Sequence, residues 1–323
     1  MNGWGAVVRP FAILRPTPRR REDGNVHSIH HRKGFGMTDI SVFHQNMKNL
    51  STSESSKAGL YKARFNELSQ SMGRDYKVAG FTELLGDLRG QARQVATLAQ
   101  YLGENLDRAV AISIGQTSSP RKVEHIGIAY DSSFFTLRAA GSVLRKASSS
   151  DWVCYNKSAN NLAKDRGGNG YVDMPPTTLS YKADFRGVAY IVTQTTNDEW
   201  YVFGFMHNDY GNGDRSGSFR KLGYAADLII SQIRVDAEEV SVIFGGDFNV
   251  APDNVAGRNV RLTARFAEDD DGGIETTGNG GGNVYDFWLT SENIDFNEAL
   301  THTETRDDSF MSDHNGITME FDY

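Results

Sequence analysis

Four strand-like runs in this chain stop on residues that no core would accept. The first ends Phe43-His-Gln-Asn46, the second Ala79-Gly-Phe-Thr-Glu83, the third Val202-Phe-Gly-Phe-Met-His207-Asn208 and the fourth Val242-Ile-Phe-Gly-Gly-Asp247-Phe-Asn249. A fifth apolar run, Gly316–Phe321, is entered through Ser312-Asp313-His314-Asn315. One polar strand end is ordinary, because strand ends are wet. Five of the same kind imply strands brought side by side with their polar ends on one shared rim.

The remaining segments fit such a frame. Tyr61, Phe65, Leu68 and Met72 recur at helical spacing, as do Ala92, Val95, Leu98 and Leu102, so helices are predicted over Lys57–Met72 and Leu88–Leu106. Ser216–Asp236 reads as a third helix. Strands are predicted at Ile40–Gln45, Lys77–Thr82, Ala109–Ile114, His125–Tyr130, Val240–Phe244, Val284–Thr290 and Gly316–Phe321. Phe185–Gln194 and Glu199–Met206 read as a strand pair joined by Thr196-Asn-Asp. Phe134–Lys146 fits neither template cleanly, Asn156–Pro176 reads as a long polar, Gly-rich loop, and the acidic, Gly-rich Ala267–Asn283 as a loop or hairpin tip. Strands grouped in hairpins with helices between them indicate a mixed sheet arrangement covered by helices, not a purely parallel sheet. One domain is expected over 37–323.

Charge and cysteine usage narrow the classes further. The net charge is −7; residues 1–36 carry seven Arg or Lys and two acids, so they hold +5 and the rest holds −12. That balance argues against binding nucleic acid by bulk charge. Residues 1–36 show no amphipathic period and no secretory apolar stretch, since Arg9 and Pro10 break Ala6–Leu14. They are expected to be disordered or not native to the protein: Lys33-Gly34 would be encoded by a sequence resembling a bacterial ribosome-binding site just before Met37. No apolar run approaches the ~18 residues of a membrane helix. The single cysteine, Cys154, excludes an intrachain disulfide and a cysteine-based zinc site. The expected product is a monomer, cytoplasmic or exported without a standard signal peptide.

Acids and amides on a shared rim suit a hard, oxygen-loving cation, and histidines suit proton transfer. Together they favour metal-assisted hydrolysis of a phosphate ester. In order along the chain, Asn46, Glu83, His207, Gly246-Asp247-Phe-Asn249, Tyr285-Asp286 and Ser312-Asp313-His314 resemble the motifs of the endonuclease/exonuclease/phosphatase superfamily, the deoxyribonuclease-I-like proteins. The similarity runs from Asp39 to Tyr323. It implies a four-layer α/β sandwich (an α+β arrangement): two mostly antiparallel mixed sheets packed face to face and flanked by helices, with the site at one edge.

The resemblance also implies roles. Glu83 is the metal carboxylate, Asn46 the amide that supports the metal or a phosphate oxygen, and Asp313 a ligand at a second metal position. Asp247 positions or deprotonates water, and Asn249 holds the scissile phosphate; two residues apart on an extended segment, they are expected to point to one side. His314 is the general base, oriented by Asp286. His207, paired with Glu124, protonates the leaving oxygen or stabilises the pentacoordinate phosphorus. Arg186 and Asn208 contact substrate. His44 is read as structural, His125 and His302 as surface or core residues, and Cys154 as a small buried hydrophobe.

Gly246–Pro252 is also similar to the exonuclease III and abasic-site endonuclease branch, but that branch lacks a histidine at the position of His207. The implied activity is therefore a Mg²⁺-dependent phosphodiesterase (Mn²⁺ or Ca²⁺ as substitutes), an endonuclease on DNA. The alternatives are a phosphomonoesterase or sphingomyelinase-like lipid phosphodiesterase of the same fold, and a catalytically silent member that binds nucleic acid or protein. Specificity is expected from the loops at 156–182, 208–218 and 252–283.

Overall fold

A computed structural model describes residues 39–116, 123–145, 152–173, 187–208, 215–233, 239–250, 262–269, 272–273, 276, 283–302 and 312–323. The expectations for 1–36 and for Arg186 fall outside these residues, as does much of the three specificity loops.

The chain begins with β1 (Asp39–Ser51), α1 (Ser55–Met72), β2 (Tyr76–Leu85) and α2 (Leu88–Ala99). It continues through β3 (Arg108–Gln116), β4 (Val123–Tyr130), β5 (Phe135–Arg145), β6 (Trp152–Ser158), and the short β7 (Ala163–Lys164) and β8 (Gly170–Val172). Next come β9 (Val188–Thr195), β10 (Trp200–His207), α3 (Arg215–Ile233) and β11 (Val240–Asp247). The last strands are β12 (Leu262–Arg265), the small hairpin β13 (Glu268–Asp269) and β14 (Gly272–Gly273), then β15 (Asp286–Ser291), β16 (Phe296–His302) and β17 (Gly316–Asp322). One sheet has eight strands in the order β16-β17-β1-β2-β4-β3-β8-β7; the other has seven, β12-β15-β11-β10-β9-β5-β6. Most neighbours are antiparallel, and β1–β2, β3–β8 and β10–β11 are parallel.

Strand alternation divides the apolar residues into three layers. Ile40, Val42, Val78, Ile126 and Ile128 of the eight-stranded sheet meet Ile191, Phe203, Phe205, Ile243 and Trp288 of the other, forming the central core. Phe43, Ala79, Phe81 and Ala129 point the opposite way and pack on Tyr61, Phe65 and Leu68 of α1 and Val95, Leu98 and Ala99 of α2. Val192, Val202, Val242, Phe244, Phe287 and Leu289 cover Leu222, Ala225 and Ile229 of α3. These layers make an α/β/β/α sandwich, the expected architecture. Among the described residues, no helix is long and apolar enough to cross a membrane.

Several elements differ from the sequence expectation. Within Phe134–Lys146, which fits neither template, Phe135–Arg145 is the strand β5; Ala140 faces the central core while Ala139 and Val143 face α3. Alternate small residues there blunt the hydrophobic pattern. Helix α2 stops at Ala99, and Leu102 and Leu106 are buried from the turns that follow rather than from a continued helix. The supposed loop 156–176 contains the end of β6 and both strands of the β7–β8 hairpin. Strand β16 has no counterpart among the sequence expectations: it is an edge strand, and its half-buried pattern gives little alternation. His125 and His302 are core residues, bonded to Gly86 O at 2.9 Å and Thr318 Oγ1 at 2.7 Å. Cys154 is half-buried beside Tyr190, its Sγ 3.1 Å from the phenol oxygen.

The sheets approach closely where Gly80 faces Phe205. A Cβ on Gly80 would lie 2.1 Å from Phe205 Cδ1. Phe205 is buried and stacked on His44, with ring centroids 6.0 Å apart, so the ring has no room to retreat. Gly80→Ala is expected to cost about 1–3 kcal/mol by overpacking, read as a lower urea midpoint at unchanged slope. An unchanged midpoint would show that the sheets can separate here at no cost.

Candidate active site

The rim is assembled from seven neighbouring strands, and their order explains it. In the eight-stranded sheet, β17, β1, β2 and β4 lie side by side and carry His314 (just before β17), Asn46, Glu83 and Glu124. In the other sheet, β15, β11 and β10 carry Asp286, Asp247 and His207. Asp247 is in register with His207 on one side and with Asp286 on the other, so the three form a straight row. Each lies on the face of its strand that further down carries core residues: Phe203 and Phe205 before His207, Ile243 before Asp247, Trp288 after Asp286. The two rows face each other across the sandwich, and the principal polar contacts of the site cross from one sheet to the other.

At one end, His207 Nδ1 lies 2.7 Å from Glu124 Oε1, with Nε2 3.2 Å from Glu83 Oε1 and 3.6 Å from Asp247 Oδ2. At the other end, His314 Nδ1 lies 2.7 Å from Asp286 Oδ2 and its Nε2 3.5 Å from the same Asp247 Oδ2. Asn46 sits between them: its Nδ2 donates to Glu83 Oε1 at 2.9 Å and approaches Asp247 Oδ2 at 3.3 Å, while its Oδ1 accepts from Lys48 N at 2.9 Å. Both imidazole Nε2 atoms and the Asn46 amide thus converge on one carboxylate oxygen.

Backbone geometry re-aims several of these groups. Of five non-glycine residues with positive φ among the described residues, Lys48, Asn49, Glu83 and Asn249 adjoin the site. In β2, regular alternation puts Val78 on the central-core face and would turn Glu83 toward the helices. The ladder to β4 is irregular between Phe81 and Leu84, and Glu83, at φ 55°, instead brings its carboxylate to Asn46 and His207. Such left-handed residues are costly and cluster at working sites. Asn249 corrects a sequence expectation: β11 ends at Asp247, and with φ 52° Asn249 is not extended. Its backbone N–H donates to Asp247 Oδ1 at 2.9 Å and its Nδ2 to Asn208 O at 2.8 Å. Asn208 Nδ2 donates in turn to Phe248 O at 3.1 Å, so the two amides tie together the turns that leave β10 and β11.

The electrostatics follow from burial among acids. Burial disfavours the charged form of His207, but Glu124, Glu83 and Asp247 outweigh it and raise the ring to about 9. Burial likewise opposes charge on His314, and Asp286, Asp247 and Asp313 raise it to about 10. Burial pushes the Asp247 carboxyl above the usual range, with Asp286 adding to it and the two imidazoles opposing it. Two three-residue sets place ligand atoms close enough to share an ion: Glu83 with His207 and Asp247, and Asp247 with Asp286 and His314. Even with both rings protonated, Glu83, Glu124, Asp247 and Asp286 outnumber them, so this chain's residues fit a divalent cation.

Asp313 stands apart from both sets. It is partly exposed, and its Oδ1 lies 3.9 Å from Lys48 Nζ. A cleft of about 540 Å³ opens on the Glu83 side, lined by Lys48, Asn49, Ser51, Leu85 and Val123 among others. Two neighbours of the site have no role in the sequence expectation. Thr276 Oγ1 accepts from Tyr285 N at 2.8 Å and Asp286 N at 2.9 Å, fixing the start of β15. His44, read as structural, is fully buried behind Asp286, its Nδ1 3.6 Å from Asp286 Oδ1. Its place on the central-core face, in step with Ile40, Val42 and Asn46, is the signal that could have found it.

No protein-family model and no curated protein sequence matches the chain. Solved structures do. An endonuclease/exonuclease/phosphatase family protein from Bacteroides thetaiotaomicron superposes with a TM-score of 0.56 at 16% identity, over 90% of this chain and 97% of its own. A mannosyl-6-phosphatase from the same organism gives 0.54 at 15% identity, over 88% and 100%. The D. rerio protein TDP2, complexed with a single-strand DNA product, gives 0.50 at 14%, over 88% and 100%. The motifs, the two facing sheets and these superpositions agree: the chain has the fold of the endonuclease/exonuclease/phosphatase superfamily.

Proposed function

We propose that the protein is a metal-dependent phosphoester hydrolase, and more specifically a phosphodiesterase that cuts DNA internally with Mg²⁺. The observation that carries this reading is the pair of histidine–carboxylate contacts, His207–Glu124 and His314–Asp286, that flank Asp247 from opposite sides at 2.7 Å each. Glu83 and Asp247, held by Asn46, would hold the cation, with Asp313 at a second position. Once bound, it would neutralise charge on the phosphate and draw the imidazole pKa values toward neutrality.

The chain's own groups then divide the proton work. Asp286 fixes the tautomer of His314 by accepting from Nδ1, which leaves Nε2 facing the centre to take a proton from water. Glu124 does the same for His207, whose Nε2 would donate to the leaving oxygen. Asp247 orients the water, and Asn249 and Asn208 hold the turns that present it. Arg186 and Lys48 would meet the substrate's phosphates, Lys48 from the cleft beside Glu83.

The DNA product bound to TDP2 supports a nucleic-acid substrate, while the mannosyl-6-phosphatase of the same fold favours a second reading, a phosphomonoesterase. A panel separates them: supercoiled plasmid, single-stranded DNA, RNA, a hexose phosphate, an inositol phosphate and sphingomyelin, each with Mg²⁺ and with EDTA. Mg²⁺-dependent nicking of plasmid is expected. Release of phosphate from the hexose phosphate with plasmid intact would favour the second reading, and no Mg²⁺-dependent hydrolysis of any substrate would remove both.

A further inference from the structure

We infer that His44 is a positioning residue that holds Asp286 from behind, so that the His314 dyad is a three-membered chain, His44–Asp286–His314, spanning both sheets. The inference rests on the hydrolase reading above and adds to it a residue of β1.

The two atoms involved are each left over. His44 Nδ1 and Asp286 Oδ1 are both buried and neither has a hydrogen-bond partner. They face each other at 3.6 Å, about 0.6 Å beyond an ordinary N–H···O bond. Every other polar atom of the two side chains is engaged: Asp286 Oδ2 takes the His314 ring at 2.7 Å, and His44 Nε2 lies 3.2 Å from Thr82 Oγ1. A carboxylate oxygen can only accept, so the nitrogen facing it must carry the hydrogen. That fixes His44 as the Nδ1–H tautomer and makes Thr82 the donor to Nε2. Leaving both atoms unpaired would cost more than closing the gap.

The surroundings exclude the other obvious uses of a histidine here. His44 is fully buried and stacked on Phe205 at an interplanar angle of 18°, so it touches neither solvent nor substrate. Burial, with His314 and His207 close by, keeps the ring uncharged, so it acts as a fixed donor and not as a proton carrier. The titratable groups facing it are Asp286, His314 and His207. An apolar residue would satisfy the packing against Phe205. What it would not supply is a donor to Asp286 Oδ1, without which the carboxylate is free to rotate away from His314.

Three variants test this in the full-length protein with bis(p-nitrophenyl) phosphate and Mg²⁺. His44→Phe keeps the ring stack and removes the donor; turnover is expected to fall by about 10–100-fold, the usual cost of losing a group that orients a site residue, with KM unchanged. His44→Asn places its amide nitrogen where Nδ1 stood and should recover most of the loss. His44→Gln, whose nitrogen reaches toward the Nε2 side, should not. In ¹⁵N-histidine-labelled wild-type protein, His44 should show a protonated Nδ1 and a bare Nε2. An Nε2–H tautomer, full activity in His44→Phe, or equal losses in all three variants would overturn the inference. The tautomer measurement needs no activity, so it decides the matter if His44→Phe fails to fold. It also separates the two readings: an inert wild-type protein would count against the hydrolase, and only the tautomer would then speak for His44.

Discussion

His207→Ala and His314→Ala are each expected to slow hydrolysis of a phosphodiester by about 10²–10⁴-fold, the usual contribution of a positioned acid or base. The expectation comes from where the two rings stand. Each is gripped at Nδ1 by a buried carboxylate and turns Nε2 toward the same Asp247 oxygen, at 3.6 and 3.5 Å. Removing either ring leaves cation binding by Glu83 and Asp247 largely in place, so KM should move far less than kcat. The variants will not be thermally silent. Glu124 and Asp286 are nearly inaccessible, and losing a ring strands a buried carboxylate, at a cost of about 1–3 kcal/mol. A domain with about 5–15 kcal/mol to lose remains folded, which circular dichroism and a single cooperative melt would verify. Glu124→Gln and Asp286→Asn should fall between wild type and the alanine variants, since the rings remain but their tautomers are no longer dictated. Near-wild-type turnover in both alanine variants would remove the acid–base assignment altogether.

The second large effect concerns the cation. Mg²⁺ or Mn²⁺ at a hundredfold excess over its Kd should stabilise the native state by about 2.7 kcal/mol, which for a domain of this size is roughly 4–5 °C in Tm. Glu83→Gln should lose most of that shift and most of the activity together, because the amide keeps the shape of the carboxylate without its charge. Asp313→Asn should retain most of the Tm shift, since Asp313 belongs to neither of the two clustered ligand sets. Melting the protein with and without EDTA checks both variants without requiring the substrate to be known. An equal Mg²⁺ shift in wild type and Glu83→Gln would place the cation elsewhere.

Much of this site can be read from order along the chain. The polar residues at the ends of β1, β2, β10 and β11 stand out because each interrupts an apolar run, and alternation already directs His207 and Asp247 to the face that carries Phe205 and Ile243. What alternation misses are the places where the backbone leaves regular geometry. Glu83 reaches the site only because the strand is irregular there, and Asn249 leaves extended geometry by itself adopting a left-handed φ, which alternation does not register. The edge strand β16 and the small-residue strand β5 are similarly faint, because neither shows the contrast between a buried and an exposed face that makes a strand legible.

By itself, the sequence determined that Asn46, His207 and Asp247 share a face with the core residues of their strands, because side-chain alternation is a local property of the backbone. It also determined the helices that cover the sheets, through apolar spacing in α1 and α2. The family resemblance already implies the His207–Glu124 and His314–Asp286 pairs, but only the tertiary structure decided that Asn46 meets Asp247 and His44 meets Asp286. His207 and Glu124, His314 and Asp286, Asn46 and Asp247, and His44 and Asp286 all come from opposite sheets. Those meetings depend on how the sheets are stacked and staggered, which is set by the packing of Phe203, Phe205, Ile243 and Trp288 against Ile40, Val42 and Val78. Packing of that kind is a sum over residues far apart in the chain, and no local pattern encodes it.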